Sequence, residues 1–322
     1  MCKDLLKIEN LKINFKIDDD TFCAVNRINF ALKKGKTLGI VGESGSGKSV
    51  FSQAVLGLLP KNASVSGKII FENQDITTLS NNELQKIRGD NIAMIFQDHM
   101  AALNPLIKVG KQIREAIMLH QNISKSEAKQ KAVEMLKQVK ISNSERRYKE
   151  YPHQLSGGMR QRIMIAMALS CNPKILICDE PTTALDVTTQ AQVLKLINDL
   201  KNNFGTSVIM ITHDLGVIAE TSDDVVVMYA GRIMEIAIVE QIFNNALHPY
   251  TIGLLKSIST LNLKDKKLIG IKGNVPSPQN INSGCPFYFR CENRQDICKN
   301  KFPEATDMNG HIVYCHNFLK KG

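Results

Sequence analysis

The sequence predicts an α/β fold: an open sheet flanked by helices, with an antiparallel β subdomain near its start and a helical lobe inserted midway. Three observations predict it. Apolar runs of four or five residues recur and end in polar residues, at Leu38–Val41, Ile92–Phe96, Ile175–Cys178 and Val208–Thr212, as buried strands of such a sheet do. Residues 1–36 instead alternate apolar and polar side chains. Between Met100 and Cys171 the apolar spacing becomes helical.

The chain has 322 residues, 43% hydrophobic and 22% charged, enough for one large core with smaller lobes or for two domains. No apolar run approaches the ~20 residues of a membrane helix. Asp4 and Glu9 fall where a signal peptide would carry its apolar region. The expectation is a soluble protein of the cytosol, free or docked on a membrane partner. Net charge is +10, and Lys256–Gly322 holds eleven Lys/Arg against five Asp/Glu. That surplus reads as a solvated basic face, since no nucleic-acid motif accompanies it, and no nucleic-acid partner is expected. Eight Cys in a cytosolic chain suggest thiols or ligands rather than disulfides.

Taken in order, Leu11–Ile17 and Ala24–Phe30 are antiparallel strands joined by the polar turn Asp18–Asp20. Phe15, with Phe22 second, is either a base-stacking aromatic or a core residue. Leu38–Val41 leads into Gly42–Ser49, GESGSGKS, and then into the helical text Val50–Leu56. That is the strand–loop–helix setting which the G-x-x-x-x-G-K-[ST] pattern requires. Gly42, Gly45 and Gly47 let successive N–H groups converge on one anion, and the helix N-terminus adds partial positive charge. Lys48 reaches β- and γ-phosphates, and the Ser49 hydroxyl holds Mg²⁺. With Ser44, Ser46 and Val50 these residues form the expected nucleotide-binding set.

Lys68–Phe71 is a further strand, and Ile92–Phe96 ends at Gln97, which is placed to orient Mg²⁺ or water. Ser124 and Glu127 form a capping box ahead of Ala128, Ala132, Val133, Leu136 and Val139. Ser156 is an N-cap, and Gly157 and Gly158 bare the backbone at the positive end of the next helix, a second anion site. Two phosphate sites in one polypeptide suggest two copies that face each other. Asp179 and Glu180 end the run Ile175–Cys178, at the ligand crevice of an open sheet. Asp179 is read as a Mg²⁺ partner through water and Glu180 as the group that polarises attacking water. Ala184–Asp186 begins another helix. His213 follows Val208–Thr212 and is read as a γ-phosphate contact. Val225–Tyr229 and Arg232–Glu235 make a hairpin around Ala230-Gly231.

These residues, over about positions 5–240, resemble the ATP-binding subunits of ABC transporters. Gly42–Ser49 resembles Walker A, Gln97 the Q-loop and Leu155–Gln161 (LSGGMRQ) the signature. Ile175–Glu180 resembles Walker B with its catalytic glutamate, Ala184–Asp186 the D-loop, and His213 the H-loop. The resemblance implies a P-loop NTPase (RecA-like) core and ATP hydrolysis with Mg²⁺. It also implies two such ATPase subunits, a homologous partner or a second copy, that sandwich two ATPs between Walker A of one and the signature of the other. Two membrane permease subunits would be moved by that closure. Leu103-Asn104-Pro105, Tyr151–Gln154, Met228–Arg232, His248–Thr251 and Leu254-Leu255 resemble the oligopeptide/dipeptide importer branch more closely. His99 departs from that branch, which usually has proline there. The branch implies a peripheral position on the cytoplasmic face of the membrane and, indirectly, an extracytoplasmic peptide-binding protein. Nickel importers share these features. A soluble ABC ATPase acting on ribosomes or DNA is disfavoured by a single Walker A and the lack of heptads. The expected domains are an ATPase of residues 1–240, with its helical subdomain at about 100–170, and an extension of residues 241–322.

Cys285, Cys291, Cys298 and Cys315 are spaced C-x₅-C-x₆-C-x₁₆-C in that extension. The text around them resembles the cysteine-rich tail of peptide-importer ATPases, which in some members binds a [4Fe-4S] cluster. Four thiolates suit an iron–sulfur cluster or structural zinc. The gaps are wider than the tight pairs usual for Zn²⁺, and unligated thiols are the third reading.

Overall fold

The computed structural model describes residues 3–97, 102–183, 185–259, 270–276 and 283–318. By contacts the chain forms two units, Met1–Thr78 with Met210–Gly322, and Leu79–Ile209. Among the described residues no helix is long and apolar enough to cross a membrane.

The first unit opens with the expected hairpin, longer than the sequence runs suggested: β1 (Asp4–Ile17) and β2 (Asp20–Lys33), paired antiparallel from Asp4↔Lys33 to Ile17↔Asp20. Alternation puts Leu6 and Ile8 in the core, then Leu11 and Ile13. The parity changes because Asn10, at φ 48°, bulges out between Ile8 and Leu11. Opposite it, Gly67 of β4 (Ala63–Phe71) is obligatory: a Cβ there would lie 2.3 Å from the Asn10 carbonyl. β5 (Gln74–Asp75) completes a sheet ordered β2-β1-β4-β5. Between hairpin and β4 run β3 (Thr37–Val41), buried throughout, and α1 (Lys48–Val55).

The second unit contains α2 (Asn81–Ile87), β6 (Ile92–Ile95), α3 (Val109–His120), α4 (Lys125–Gln138), α5 (Ser144–Arg147) and α6 (Gly157–Leu169). β7 (Ile175–Asp179), α7 (Val187–Phe204) and the start of β8 (Ser207–Thr212) follow. β6 and β7 pair in parallel, Ile92↔Ile175 to Ile95↔Cys178. β6 ends one residue before the sequence suggested, and Phe96 is 42% exposed rather than buried. The capping box at α4 forms both its bonds, Glu127 N–H to Ser124 Oγ at 3.2 Å and Ser124 N–H to Glu127 Oε2 at 2.8 Å. Met135 takes a core place on that helix, while Val133 is half-buried.

Back in the first unit come α8 (Leu215–Thr221), β9 (Asp224–Tyr229), β10 (Arg232–Ile238), α9 (Val239–Asn245), α10 (Pro249–Ser259), α11 (Ile297–Asn300), β11 (Thr306–Met308) and β12 (His311–Val313). β3 runs parallel to β9, and β9 turns into β10 through Ala230 and Gly231, both at positive φ as a tight two-residue hairpin demands. β12 pairs antiparallel with both β10 and β11, so the sheet of this unit reads β11-β12-β10-β9-β3. It is mixed, and its far edge is built from the end of the chain.

Candidate active site

In the first unit β3 delivers the chain to Gly42, and α1 receives it at Lys48. The three glycines of the loop are needed for different reasons. A Cβ on Gly42 would lie 2.1 Å from the Met228 carbonyl of β9. Gly45 and Gly47 have φ of +78° and +94°, and a Cβ on Gly47 would also stand 2.6 Å from the Ala24 carbonyl of β2. Ser44 and Gly45 form the exposed crest, while Ser46 is buried and Ser49 and Val50 are half-buried. Lys48 is 6% exposed. Its Nζ donates to the Gly42 carbonyl at 2.6 Å, the Glu43 carbonyl at 3.0 Å and Ser46 Oγ at 3.0 Å. The ammonium is thus anchored inside the ring of backbone that the pattern assigns to an anion.

His213 is exposed, just past β8, and the following Asp214 caps α8 by accepting from Gly216 N–H at 2.7 Å. Phe15 sits near the turn end of β1, half-buried, across from Phe22 and Ala63.

In the second unit Asp179 ends β7, 3% exposed, and Glu180 turns away from the strand at φ 48°. A non-glycine residue at positive φ costs about 1–2 kcal/mol, and such strain concentrates at functional positions. The Glu180 carboxylate accepts from Gln97 Nε2 at 3.0 Å and from Thr183 Oγ1 at 2.9 Å. The structure therefore joins two residues 83 positions apart that sequence assigned separately. Burial beside Asp179 pushes the Cys178 thiol far up, the behaviour of a small core residue. Ser156 caps α6, its hydroxyl accepting from Met159 N–H at 3.3 Å. A Cβ on Gly158 would touch Thr189 Cγ2 at 3.2 Å, whereas one on Gly157 would meet nothing described within 4 Å. Asp186 is the N-cap of α7: it accepts from Thr189 N–H at 3.0 Å and Thr189 Oγ1 at 2.6 Å, and these bonds hold its carboxyl below the usual range. Asp98, His99 and Ala184 lie outside the described residues.

Two residues escaped the sequence reading as individuals. Thr183 supplies the second donor to Glu180, and a threonine near an acid has no distinguishing pattern. Gln161, 1% exposed, donates to the Pro181 carbonyl at 2.6 Å and so pins the segment after Glu180. Its place in the LSGGMRQ run was the available signal.

Cys285, Cys291, Cys298 and Cys315 all line one small cavity of about 10 Å³, together with His248, Phe287 and His316. Burial pushes the Cys285 thiol up to about 12 and that of Cys315 to about 11, and in each case Cys291 and Cys298 nearby add to it. Yet among the described residues no group of three or more His, Cys, Asp or Glu side chains is arranged to hold a metal ion. Cys23 and Cys171 are half-buried free thiols.

Residues 25–183 match the ABC transporter family, and residues 234–298 match the oligopeptide/dipeptide transporter C-terminal region. The chain is 48% identical over 321 residues to the oligopeptide transport ATP-binding protein AppD of Bacillus subtilis, covering 99% of this chain and 98% of that protein. It is 51% identical over 312 residues to OppD of Haemophilus influenzae, covering 97% and 96%. Among solved structures it is similar to the dimeric ATP-binding cassette MJ0796 in a post-hydrolysis state with ADP and Pi. The TM-score there is 0.65 at 29% identity, covering 73% of this chain and 98% of that one. It is equally similar to cbiO1 from Clostridium perfringens, part of an ABC transporter complex, with TM-score 0.65 at 29% identity, covering 82% and 96%. Identity of about half sustained over nearly the full length decides the matter: the chain belongs to the ABC transporter ATPases, in the branch whose ATP-binding subunits carry the oligopeptide/dipeptide transporter C-terminal region.

Proposed function

We propose that this ATPase powers the uptake of oligopeptides or dipeptides through separate permease subunits, working peripherally at the cytoplasmic face of the membrane and indirectly served by an extracytoplasmic peptide-binding protein. The observation that carries this reading is near full-length identity to oligopeptide-transport ATP-binding proteins, the C-terminal region included. In it, residues 1–240 form the ATPase and 241–322 the extension. Phosphate oxygens replace the backbone carbonyls around Lys48 Nζ, and Ser49 and Asp179 share Mg²⁺, Asp179 through water. Ser44, Ser46 and Val50 with Gly42, Gly45 and Gly47 present N–H groups to the phosphates. Phe15 stacks on the base. Gln97 orients Glu180, which polarises the attacking water, and His213 contacts the γ-phosphate. Ser156, Gly157 and Gly158 close on the nucleotide of a facing ATPase subunit, with Asp186 beside them; the dimeric MJ0796 cassette supports such pairing.

Glu180→Gln tests the assignment. ATP affinity should stay within a few-fold of wild type while turnover falls at least about 100-fold; retained turnover refutes it. Uptake of labelled peptides in a strain lacking the chain tests the substrate, and loss of nickel uptake with peptide uptake intact reassigns it.

The four-cysteine cavity is read as a [4Fe-4S] site held by Cys285, Cys291, Cys298 and Cys315. The fit is one of spacing. The gaps, C-x₅-C-x₆-C-x₁₆-C, are wider than the tight pairs usual for Zn²⁺. These four thiolates would hold such a cluster, which would supply iron–thiolate bonds there. It would add a covalent staple to the lobe. Anaerobically purified protein should contain iron and lose it on Cys291→Ser; stoichiometric zinc in colourless protein refutes the reading.

A further inference from the structure

The phosphate loop is gripped by the C-terminal part of its own unit, and Glu43 is where the grip acts. Each polar group of Glu43 has a partner. Its N–H donates to the Tyr250 hydroxyl at 3.0 Å, and its carbonyl accepts from Lys48 Nζ at 3.0 Å. Its carboxylate receives a fork from Arg290, Nη1 to Oε2 at 2.6 Å and Nη2 to Oε1 at 3.2 Å.

Arg290 itself is fully committed. Nε donates to the Lys272 carbonyl at 3.0 Å, Nη1 also to the Tyr229 hydroxyl at 3.2 Å, and Nη2 also to the Ile271 carbonyl at 3.1 Å. A guanidinium has five N–H groups, and these five bonds occupy all of them. The rings of Tyr229, Tyr250 and Phe287 pack against one another at 4.7–5.4 Å and make the seat rigid. The arginine side chain is only 7% exposed. A forked pair whose guanidinium is buried and whose carboxylate is partly covered belongs to the stronger class of charge-assisted bond, unlike a solvated surface pair.

We infer that Arg290 is a positioning residue for the nucleotide site: through Glu43 it fixes the stretch of loop on which Lys48 rests, so that nucleotide affinity depends on the C-terminal segment. This rests on Gly42–Ser49 being the triphosphate cradle. A mere staple would predict something else, namely a lower melting temperature with unchanged affinity in the folded protein. Coupling of this kind is reciprocal, so nucleotide must in turn steady the segment that carries Arg290.

The test uses the full chain and titration with a fluorescent ATP analogue and Mg²⁺, at a temperature where circular dichroism finds each variant folded. Lys48→Ala sets the reference and abolishes binding. Glu43→Gln and Arg290→Ala each weaken binding about tenfold, and the double variant is no weaker than either alone, because the two residues act as one link. Arg290→Lys does not restore affinity, since an ammonium cannot supply the fork. Nucleotide also slows amide exchange over residues 288–294 in wild type and not in Glu43→Gln. Wild-type affinity in Glu43→Gln and Arg290→Ala, with Lys48→Ala inactive, overturns the inference. Wild-type affinity in Lys48→Ala overturns the cradle reading instead, and the inference with it. Should Arg290→Ala not fold, Glu43→Gln decides, its side chain being 27% exposed.

Discussion

At Gly157 the absence of a side chain has no internal cause. Its φ is not positive, and a Cβ would meet nothing described within 4 Å. Glycine in a helix is the worse choice for stability by roughly 0.5–1 kcal/mol against alanine. A carboxylate in the first turn of a helix is favourable by about 0.3–1 kcal/mol. Gly157→Asp is therefore expected to melt no lower than wild type while losing ATPase activity about 100-fold, because its charge meets the anion proposed to dock there. A thermal melt beside a phosphate-release assay checks both halves; undiminished turnover counts against the second anion site. Gly42 is the opposite case. Gly42→Ala drives a Cβ into the Met228 carbonyl and should cost about 2–4 kcal/mol in denaturant unfolding. The spacing pattern pointed to both glycines as phosphate-facing. It could not disclose that β9 backbone also excludes a side chain at Gly42, because that neighbour arrives through long-range pairing.

Elements were legible where their cause is local. The capping box at Ser124 and the hairpin at Ala230-Gly231 follow from three or four adjacent residues and form as expected. The bulge at Asn10 was not legible, since it exists to re-phase β1 against two partner strands at once. The junction into α10 is likewise non-local. Glu235 of β10, fully buried, accepts from Leu247 N–H at 2.8 Å and His248 N–H at 3.0 Å, and His248 Nδ1 accepts from Tyr250 N–H at 3.0 Å. Burial pushes His248 down from 6.5 to about 4, against the upward pull of Glu235. Between those values the unfolded chain binds a proton that the folded one refuses. Stability must then fall as pH drops from about 6.5 to about 4, by up to about 3 kcal/mol from this group, and change no further below. His248→Asn keeps a neutral acceptor but removes the titration. Denaturant unfolding at pH 7.0 and 4.5 should give a shallower loss in that variant than in wild type; equal losses would show that His248 ionises freely.

Across the whole molecule, the motifs announced the ATPase, while the end of the chain looked like an appendage after residue 240. Packing joins it to the sheet of the first unit. β12 pairs Val313 with Glu235 and Ile312 with Ile236, and Tyr314 N–H donates to the Met234 carbonyl at 2.9 Å. The Arg232 guanidinium lies 4.0 Å over the Phe302 ring. His311 Nε2 meets Glu235 Oε1 at 2.6 Å, both side chains being almost wholly buried. None of this has a local signature, because each contact spans about seventy to eighty positions. A chain ending at Glu304 would strip β10 of its neighbour and leave it as a new apolar sheet edge, which favours association with other chains. It would also remove the His311 hydrogen-bond partner from the buried Glu235 side chain, a loss of about 1–3 kcal/mol. The truncated protein should melt well below the full chain and aggregate on concentration. His311→Ala in the full-length chain isolates the buried pair and should lower the melting temperature by several degrees without aggregation, since the β10–β12 pairing survives. A truncated chain that stays dispersed and melts like wild type would mean that the extension is separable after all, and that the hydrogen bonds linking it to β10 carry none of the stability of the ATPase.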